Sequence, residues 1–443
     1  MIWSDLWDVL LLRDYNTRVV LLGVALLGAA SGLVGSFTLL RKRSLMGDAL
    51  AHASLPGLVI AFMIAVAAGG DGKSMPLLLA GATMGGLAGV ACILFLQRFT
   101  KLKQDATLGI VLSVFFGLGV VLLGITQKMD AGHSAGLETY IFGKTASMRR
   151  ADGIMIAITA LISILVTGVL FKELKLLCFD ADFAGSRGLR VWLLDTILMV
   201  LVVMVTMVGL QAVGLVLMVA MLVIPAAAAR FWTESIFRLA LVSASIGLVG
   251  SVLGATASAV MADLPSGAMI VLACALLFAV SMFFGTQRGV LPRLWRRRQL
   301  NAKIARQHLL RGIYELSEAE FQDANPGHWV SLIDLLQKRS WNSKQLRRQI
   351  ETAELVELVR YKTDQVALTS AGYAEAARLT RQHRLWELYL VHYADVATAR
   401  VDRDADDIEH VLEHDVVEKL ERLLDHDPIR IAVPSSPHAM EST

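Results

Sequence analysis

Charged residues are scarce in this chain of 443 residues: Asp, Glu, Lys and Arg make up 18% of it, against 55% hydrophobic residues. A soluble domain carries about 25% charged residues, so this balance excludes a wholly soluble protein. Cysteine is also rare. The three cysteines, Cys92, Cys178 and Cys274, lie too far apart for a disulfide framework or a zinc knuckle. The formal net charge of +3 is too small to indicate a nucleic-acid partner for the whole chain.

Two catalytic patterns are absent from the sequence. The phosphate-binding pattern GxxxxGK[ST] does not occur, so ATP hydrolysis would have to come from another polypeptide. The apolar segments lack the HExxH and paired acidic patterns of membrane-embedded hydrolases. These absences favour a transport protein over an enzyme.

Hydropathy divides the chain into an apolar part, residues 1–289, and a polar part. The apolar part contains segments near the ~20 residues that a bilayer crossing requires. The predicted crossings are residues 18–40, 50–70, 76–98, 106–126, 152–172, 192–209, 211–229, 239–260 and 267–286. Gly209, Gln211 and Gly214 mark the expected break between the sixth and the seventh. The prediction is an all-α polytopic membrane domain with about nine transmembrane helices.

Basic residues orient these segments. The positive-inside rule is satisfied when the amino terminus is outside and five basic stretches face the cytoplasm, at residues 41–43, 98–103, 172–175, 230–238 and 293–298. Arg149 and Arg150 break this alternation. If they are cytoplasmic, residues 132–147 must re-enter the membrane.

From residue 290 onward the composition is that of a cytosolic domain. Its first stretch, RGVLPRLWRRRQLNAK, is basic and fits the anionic inner leaflet, so membrane lipid is an expected partner. Apolar spacing predicts helices at residues 308–317, 330–338, 343–353, 370–392 and 404–424. The segment LVELVRYKTDQVALT alternates around a Lys-Thr-Asp turn and predicts a two-stranded wing. This order predicts an α+β winged-helix domain over residues 290–443, with a disordered tail at 425–443.

Asp48 and His52 form the first candidate site. Four residues apart, they share a helix face at the edge of an apolar segment, where an ionisable group costs about 2.5 to 3.5 kcal/mol unless it is compensated. Pro56 and Gly57 follow, and would leave backbone carbonyls free. A helix cap explains Asp48 alone, but it does not explain His52 one turn deeper. We therefore interpret the pair as ligands on a path for a divalent cation.

Four stretches of the sequence, in this order, resemble the permease subunits of the ABC transporters that import manganese, zinc or iron(II), the ABC-3 family. They are RKRSLMGDALAHASLPG at 41–57, FDADFAGSRGL at 179–189, AVGLVLMVAMLVIPAAAAR at 212–230 and DLPSGAMIVL at 263–272. The resemblance covers nearly all of residues 17–286. It implies the fold of a vitamin-B12-importer-type permease in a bacterial inner membrane.

The resemblance also implies partners and a substrate. In that family two permease copies, identical or paralogous, form the pathway, a separate ATPase supplies energy, and an extracellular solute-binding protein delivers the metal. Asp48 and His52 match the family's Asp and His on the metal path. A deprotonated carboxylate and imidazole suit a borderline divalent cation, and three ligands or fewer suit transient binding. A secondary transporter driven by ion gradients is the alternative.

Residues 179–189 form the second candidate site, a polar interruption between apolar segments. Its candidate residues are Phe179, Asp180, Asp182, Arg187 and Gly188. By composition it is either an ordinary cytosolic loop or a docking element. Its resemblance to the short coupling helix by which such permeases contact their ATPase favours docking.

Acids and histidines near the carboxyl end form the third candidate site. Asp406, Glu409 and His410, at i, i+3 and i+4, present two acids and an imidazole on one predicted helical face. His383 and Glu387 repeat the spacing on the preceding helix. A solvated surface is the alternative, but two such clusters favour a bound counter-ion because like charges so close repel.

This region, with IARQHLLRGIYELSE at 304–318, is similar to the iron- and manganese-dependent repressors of the diphtheria-toxin-repressor family. The similarity implies a set of metal ligands: His383, Asp406, Glu409 and His410 at its core, Glu387 and Asp402 on its flanks, and His308 on the first helix. His308 replaces the usual Met or Asp. Arg311 stands where manganese-selective members offer a second acid, which counts against a two-metal site. Asp406 in place of a cysteine favours harder metals, so Mn²⁺ is expected over Fe²⁺ or Zn²⁺.

The predicted recognition helix carries Lys344, Arg347 and Arg348, which suit DNA contact or a solvated face. Membrane attachment restricts access to an operator, so DNA is disfavoured as a partner. We interpret the domain as a sensor of cytosolic metal that biases the permease toward a transport-incompetent state. A membrane-tethered, metal-dependent transcription regulator is the alternative.

Overall fold

The computed structural model describes residues 15–41, 46–70, 75–128, 148–261, 264–320, 327–338 and 341–393. The chain divides into two compact units, residues 1–293 and 294–443. The predicted re-entrant segment, the predicted helix at 404–424 and the predicted tail lie outside the described residues. The assignment of functions to the two parts remains a prediction.

The described part of the first unit is helical throughout. Its helices are α1 (Tyr15–Leu40), α2 (Met46–Ala67), α3 (Met75–Phe99), α4 (Gln104–Thr126), α5 (Arg150–Val169), α6 (Phe171–Phe179), α7 (Ala181–Ser186), α8 (Val191–Val213), α9 (Leu215–Ala229), α10 (Ile236–Val260) and α11 (Ser266–Phe284). Within the described ranges, eight are long and apolar enough to cross a membrane, and α9 is a shorter apolar helix. The polytopic all-α prediction is confirmed. The predicted break between the sixth and seventh segments lies at Gly214, whose φ of 90° suits glycine and ends α8.

Small residues allow α1 to pack closely against α10. A Cβ atom built on Gly28 would lie 2.3 Å from the carbonyl oxygen of Gly247, so only glycine fits this crossing. The hydroxyl of Ser243 on α10 donates to the Gly32 carbonyl of α1 at 2.5 Å. Such close backbone contacts and interhelical hydrogen bonds drive helix association in membranes, where lipid competes with apolar side chains. Helix α1 also packs against α5, α8 and α9.

Helix α2, which carries Asp48 and His52, packs against α3 and α4. Its contact with α3 again depends on glycine, because a Cβ atom on Gly57 would lie 2.2 Å from the Gly81 carbonyl oxygen. Pro56 lies inside α2 without ending it. Neighbouring helices therefore hold this proline-containing segment in a helical path.

The second unit has the winged-helix order. After α12 (Val290–Glu320), which begins just before the unit boundary, come β1 (Val330–Ser331), α13 (Leu332–Lys338), α14 (Ser343–Leu355), β2 (Val359–Lys362), β3 (Gln365–Leu368) and α15 (Ser370–Tyr393). The antiparallel sheet has the order β1-β3-β2. Thr363 and Asp364, the two residues between β2 and β3, both have positive φ, which is typical of a type I′ hairpin turn. The predicted winged helix and its turn are confirmed.

The core of this unit is built from the apolar faces of its helices and wing. Leu309, Leu335, Leu346, Ile350 and Val366 are each at most 1% exposed. Two features differ from the sequence prediction. The first helix starts at residue 290 instead of 308, since the basic stretch joins it without a break, and residues 330 and 331 form a strand because Val330 pairs with Val366 of the wing.

Candidate functional site

Asp48 and His52 lie on one face of α2, as their spacing predicts. The His52 Nε2 and Asp48 Oδ1 atoms are 3.3 Å apart. Between Met46 and Pro56 the side chains of these two residues are the partly exposed ones, with 32% exposure for Asp48 and 20% for His52, while the others are buried. The pair therefore opens a polar window in an otherwise buried helical segment.

The surroundings of His52 leave ligand atoms available. Its ring meets the ring of Phe116 on α4 edge to face, with centroids 4.8 Å apart. Its Nδ1 atom is buried and has no hydrogen-bond partner in the described part of the chain. Pro56 has no amide hydrogen to donate to the carbonyl four residues earlier, which is that of His52 itself. One residue thus offers a ring nitrogen and a backbone oxygen.

This arrangement provides the donors for a partial metal site. One carboxylate, one imidazole and one carbonyl oxygen suit a divalent cation of intermediate hardness. The set falls short of the four or more ligands of a closed structural site. Loose coordination by few ligands is what ion conduction requires.

The second candidate site forms a defined helical turn. Asp180 caps α7 by accepting a hydrogen bond from the Phe183 amide at 2.9 Å, and Gly188 follows the helix with a φ of 82°. Phe179 and Phe183 remain 72% and 49% exposed. Arg187 lies over the Phe183 ring at 5.8 Å. Large exposed aromatic side chains on an ordered polar turn are typical of a protein-contact surface.

An ion pair that the sequence reasoning missed lies beside this turn. Arg41, directly after α1, donates from Nη2 to both carboxylate oxygens of Asp195 on α8 at 2.9 Å. Its Nη1 donates to the carbonyl oxygen of Leu177 on α6 at 3.0 Å. The two charged side chains are 17% and 15% exposed. The sequence signal was a lone Asp inside an apolar segment, which indicates a paired charge without identifying its partner.

Part of the third candidate site falls within the described residues. His383 and Glu387 on α15 are 2% and 3% exposed, with Nε2 and Oε1 3.2 Å apart. His308 lies on α12 and is half-buried. Asp402, Asp406, Glu409 and His410 lie outside the described residues. Among those that are described, no three His, Cys, Asp or Glu side chains form a group able to hold a metal ion.

Other charges on α12 and α15 are paired with one another. Arg384 donates to Glu318 from both Nη atoms, and the distance from Nη1 to Oε1 is 3.1 Å. The fully buried Arg311, at 2% exposure, has its Nε 3.2 Å from Glu315. A guanidinium in this position is a permanent positive charge, which repels a cation rather than binding one.

The three basic residues of α14 face different surroundings. Arg347 is 3.1 Å from Asp364 at the tip of the wing. Arg348 lines a groove of about 970 Å³ against the first half of α12. Lys344 is exposed. Arg347 is paired with an acid and Arg348 lines a groove within its own domain. The helix therefore offers DNA less positive charge than its sequence suggests.

Comparison with known proteins identifies the family. The model of the ABC 3 transport family matches residues 13–285. The chain belongs to the ABC-3 family. This ABC-3 chain is 36% identical to the manganese transport system membrane protein MntC of Bacillus subtilis, over 91% of this chain and 90% of that protein. It is 43% identical to the zinc transport system membrane protein TroC of Treponema pallidum, over 66% of this chain and 96% of that protein.

A solved structure and a second family model cover the two parts of this ABC-3 chain. PsaBC from Streptococcus pneumoniae in complex with Fab is similar over 65% of this chain and 98% of that one, with 30% identity and a TM-score of 0.55. The model described as iron dependent repressor, metal binding and dimerisation domain matches residues 369–428. The predicted fusion of an ABC-3 permease with a repressor-like domain is thereby confirmed.

Proposed function

We propose that this ABC-3 chain is the permease subunit of an ATP-driven importer of divalent transition metal ions in a bacterial inner membrane, with Mn²⁺ as its preferred substrate. The observation that carries the proposal is the polar window of Asp48 and His52, which offers few donors in an otherwise buried helix. Relatives named for manganese and for zinc support the substrate class. Zn²⁺ and Fe²⁺ are the alternative substrates.

The proposal includes three partners. An ATPase subunit would dock on the ordered turn around α7, where Phe183 is exposed. A second permease copy, identical or paralogous, would complete the pathway, and an extracellular solute-binding protein would deliver the ion. By the positive-inside rule, applied to the basic stretches, α7 and the second unit would both be cytoplasmic.

Metal uptake into proteoliposomes tests the path residues. Asp48→Asn and His52→Gln keep side-chain size but weaken or remove a metal-binding atom. Even the loss of a residue that only orients a metal ligand reduces metal affinity about 10- to 100-fold. At least about 10-fold slower manganese uptake is therefore expected from each variant. Asp105→Asn is the matched control, because Asp105 is an exposed acid in the first turn of another span, α4. Wild-type uptake rates in both path variants would refute this assignment.

Two further measurements address energy source and substrate. Uptake that requires the ATPase subunit and ATP supports the ABC assignment, whereas uptake driven by an ion gradient alone would contradict it. Competition among Mn²⁺, Zn²⁺ and Fe²⁺ at equal free concentrations ranks the substrates. Carboxylate and carbonyl oxygens suit Mn²⁺ better than a thiolate site would. Faster uptake of Mn²⁺ than of Zn²⁺ and Fe²⁺ from this mixture is the expected result, and faster uptake of Zn²⁺ or Fe²⁺ would identify the alternative substrate.

We further propose that the repressor-like unit senses cytosolic metal and regulates transport. His308, His383 and Glu387 would act together with Asp402, Asp406, Glu409 and His410. A ligand that stabilises one state of the domain can shift the transport equilibrium in proportion to its preference for that state. Removal of residues 291–443 should abolish the dependence of uptake on internal metal. Equal rates with and without these residues at every internal metal level would refute regulation.

The metal site of this unit can be tested separately. In the full chain, His410→Gln with Asp406→Asn should lower bound metal by about one ion per chain, while Glu375→Gln should not. Glu375 is the matched control because it is an acid on α15 held by Arg378 instead. The alternative function, transcription regulation, predicts metal-dependent binding of operator DNA, which the matched charge of Arg347 disfavours.

A further inference from the structure

We infer that Arg41 is a positioning residue that couples ATP hydrolysis to metal transport. It links α6 and α8, the helices on either side of α7, to the end of α1, and the chain continues from there to Asp48 on α2. This inference rests on the proposed function, since it takes α7 as the ATPase contact. It adds a residue and a mechanism to that function. The observation behind it is the three-way contact of one guanidinium with α6 and α8.

The chain positions of the two partners make the contact informative. Leu177 lies on α6, the helix before α7, and Asp195 lies in the first turns of α8, the helix after it. One side chain therefore holds the segments through which α7 is attached at either end. A displacement of α7 relative to α1 must change the geometry of this contact, since the guanidinium is planar and its donors are fixed.

The backbone around Leu177 explains why a cation is needed there. The last carbonyls of a helix have no intrahelical donor, and the negative end of the helix dipole lies there. Helix α6 ends at Phe179, where Asp180 turns away with φ −149° and ψ 97°. Arg41 satisfies the Leu177 carbonyl in place of the missing amide. The guanidinium thus both caps α6 and is a counter-ion of Asp195.

Burial sets this ion pair apart from an ordinary surface pair. Arg288 and Glu234 form a similar two-point contact, with Nε 2.8 Å from Oε1 and Nη2 2.9 Å from Oε2. Their side chains are 49% and 60% exposed, against 17% and 15% for Arg41 and Asp195. Water screens the exposed pair, so its effect is small, whereas the shielded pair is more sensitive to geometry. Arg288 and Glu234 therefore provide a matched control.

Apolar contacts keep α6 attached to α1 when the guanidinium is removed. The rings of Phe37 on α1 and Phe171 on α6 meet edge to face with centroids 5.8 Å apart. Phe171 makes the same kind of contact with Phe237 of α10 at 5.7 Å. Loss of Arg41 should therefore leave the fold assembled and remove the polar link between α6, α8 and the end of α1.

The sequence connects this link to the metal path. Arg41 follows the last residue of α1, and Asp48 lies in the first turn of α2, seven positions later. A movement of α7 that displaces Arg41 therefore also displaces the chain just before α2, the helix that carries Asp48 and His52. A contact that switches between two arrangements transmits a state change between sites, with typical coupling factors of about 5 to 150.

The test is the number of ATP molecules hydrolysed per metal ion imported by the complete complex in proteoliposomes, with metal-loaded solute-binding protein. Arg41→Gln should raise this ratio at least about 5-fold by slowing uptake while ATP hydrolysis continues. Arg41→Lys keeps the positive charge but loses the planar set of guanidinium donors, so its ratio should lie between those of wild type and Arg41→Gln. Arg288→Gln and Glu234→Gln should leave the ratio at the wild-type value.

A double variant controls for destabilisation of the fold by the Asp195 charge. Arg41→Gln removes a shielded positive charge beside Asp195, whereas Arg41→Gln with Asp195→Asn removes both charges of the pair. The double variant should co-purify with the ATPase and also have a raised ratio. A wild-type ratio in either variant, or loss of ATPase binding in the double variant, would overturn the inference. Failure of the proposed function is distinguishable, because the wild-type complex would then show no ATP-dependent metal uptake.

Discussion

The crossing of α1 and α10 predicts a large difference between two glycine-to-alanine substitutions. In Gly28→Ala the new methyl group would start 2.3 Å from the Gly247 carbonyl oxygen, a backbone atom that cannot rotate away. Real Cβ contacts begin near 3.0 Å, so the helices must separate by about 0.7 Å. That separation also lengthens the hydrogen bond from Ser243 to Gly32.

The magnitude follows from these two effects. Overpacking a close contact costs about 1 to 3 kcal/mol, and a weakened hydrogen bond costs about 0.5 to 1.5 kcal/mol. Alanine has a higher helix propensity than glycine, which offsets about 1 kcal/mol. The expected net loss in the free energy of unfolding is about 0.5 to 3.5 kcal/mol. Gly117→Ala is the control, because a Cβ atom there has no heavy atom within 4 Å.

Thermal unfolding of the detergent-solubilised protein measures this difference. Gly28→Ala should unfold at a lower temperature than wild type, and Gly117→Ala at the same or a higher temperature. Because both substitutions are identical in chemistry, a common change in midpoint cannot come from packing. Equal midpoints for the two variants would refute the close α1–α10 contact.

Three further predictions concern single residues near the proposed transport machinery. Burial raises the pKa of the Cys178 thiol to about 11 from 9.0. Its alkylation in the folded protein should therefore rise about tenfold per pH unit up to about pH 11, and the free energy of unfolding should fall between about pH 9 and 11 because the unfolded thiol ionises first. Half-maximal labelling near pH 9, measured by mass spectrometry, would contradict this. Pro56→Ala restores an amide donor to the His52 carbonyl, so it should raise the free energy of unfolding by up to about 3 kcal/mol. It should also slow metal uptake, and an unchanged uptake rate would exclude a role for that carbonyl. Phe183→Asp, at a half-exposed ring, should abolish co-purification of the ATPase without lowering the unfolding temperature, and retained binding would exclude α7 as the docking site.

Most of the helical architecture could be predicted because it depends on local sequence patterns, such as runs of apolar residues and turn residues. A run of apolar residues reports a membrane span without reference to its neighbours. Gly214 interrupts such a run, and the chain turns there with positive φ. The Lys-Thr-Asp turn predicted the wing for the same reason, since its backbone conformation is decided by adjacent residues.

The contacts that were missed join distant parts of the chain. Arg41 and Asp195 are 154 positions apart, and a lone Asp in an apolar segment does not identify its partner. Strand β1 is two residues long, too short for an alternating pattern, and it exists because the wing lies beside it. The edge-to-face contact of Phe116 with His52 likewise depends on how α4 packs on α2.

The sequence by itself determined the order of the apolar segments, the winged-helix order of the second unit, and the shared face of Asp48 and His52. Each of these depends on spacings of a few residues, which the periodicity of the helix or strand converts directly into geometry. Only the tertiary structure decided that Arg41 bridges α6 and α8, and that Phe116 covers the His52 ring. Those contacts depend on the packing of whole helices, which in turn depends on close approaches such as that of Gly28 to Gly247.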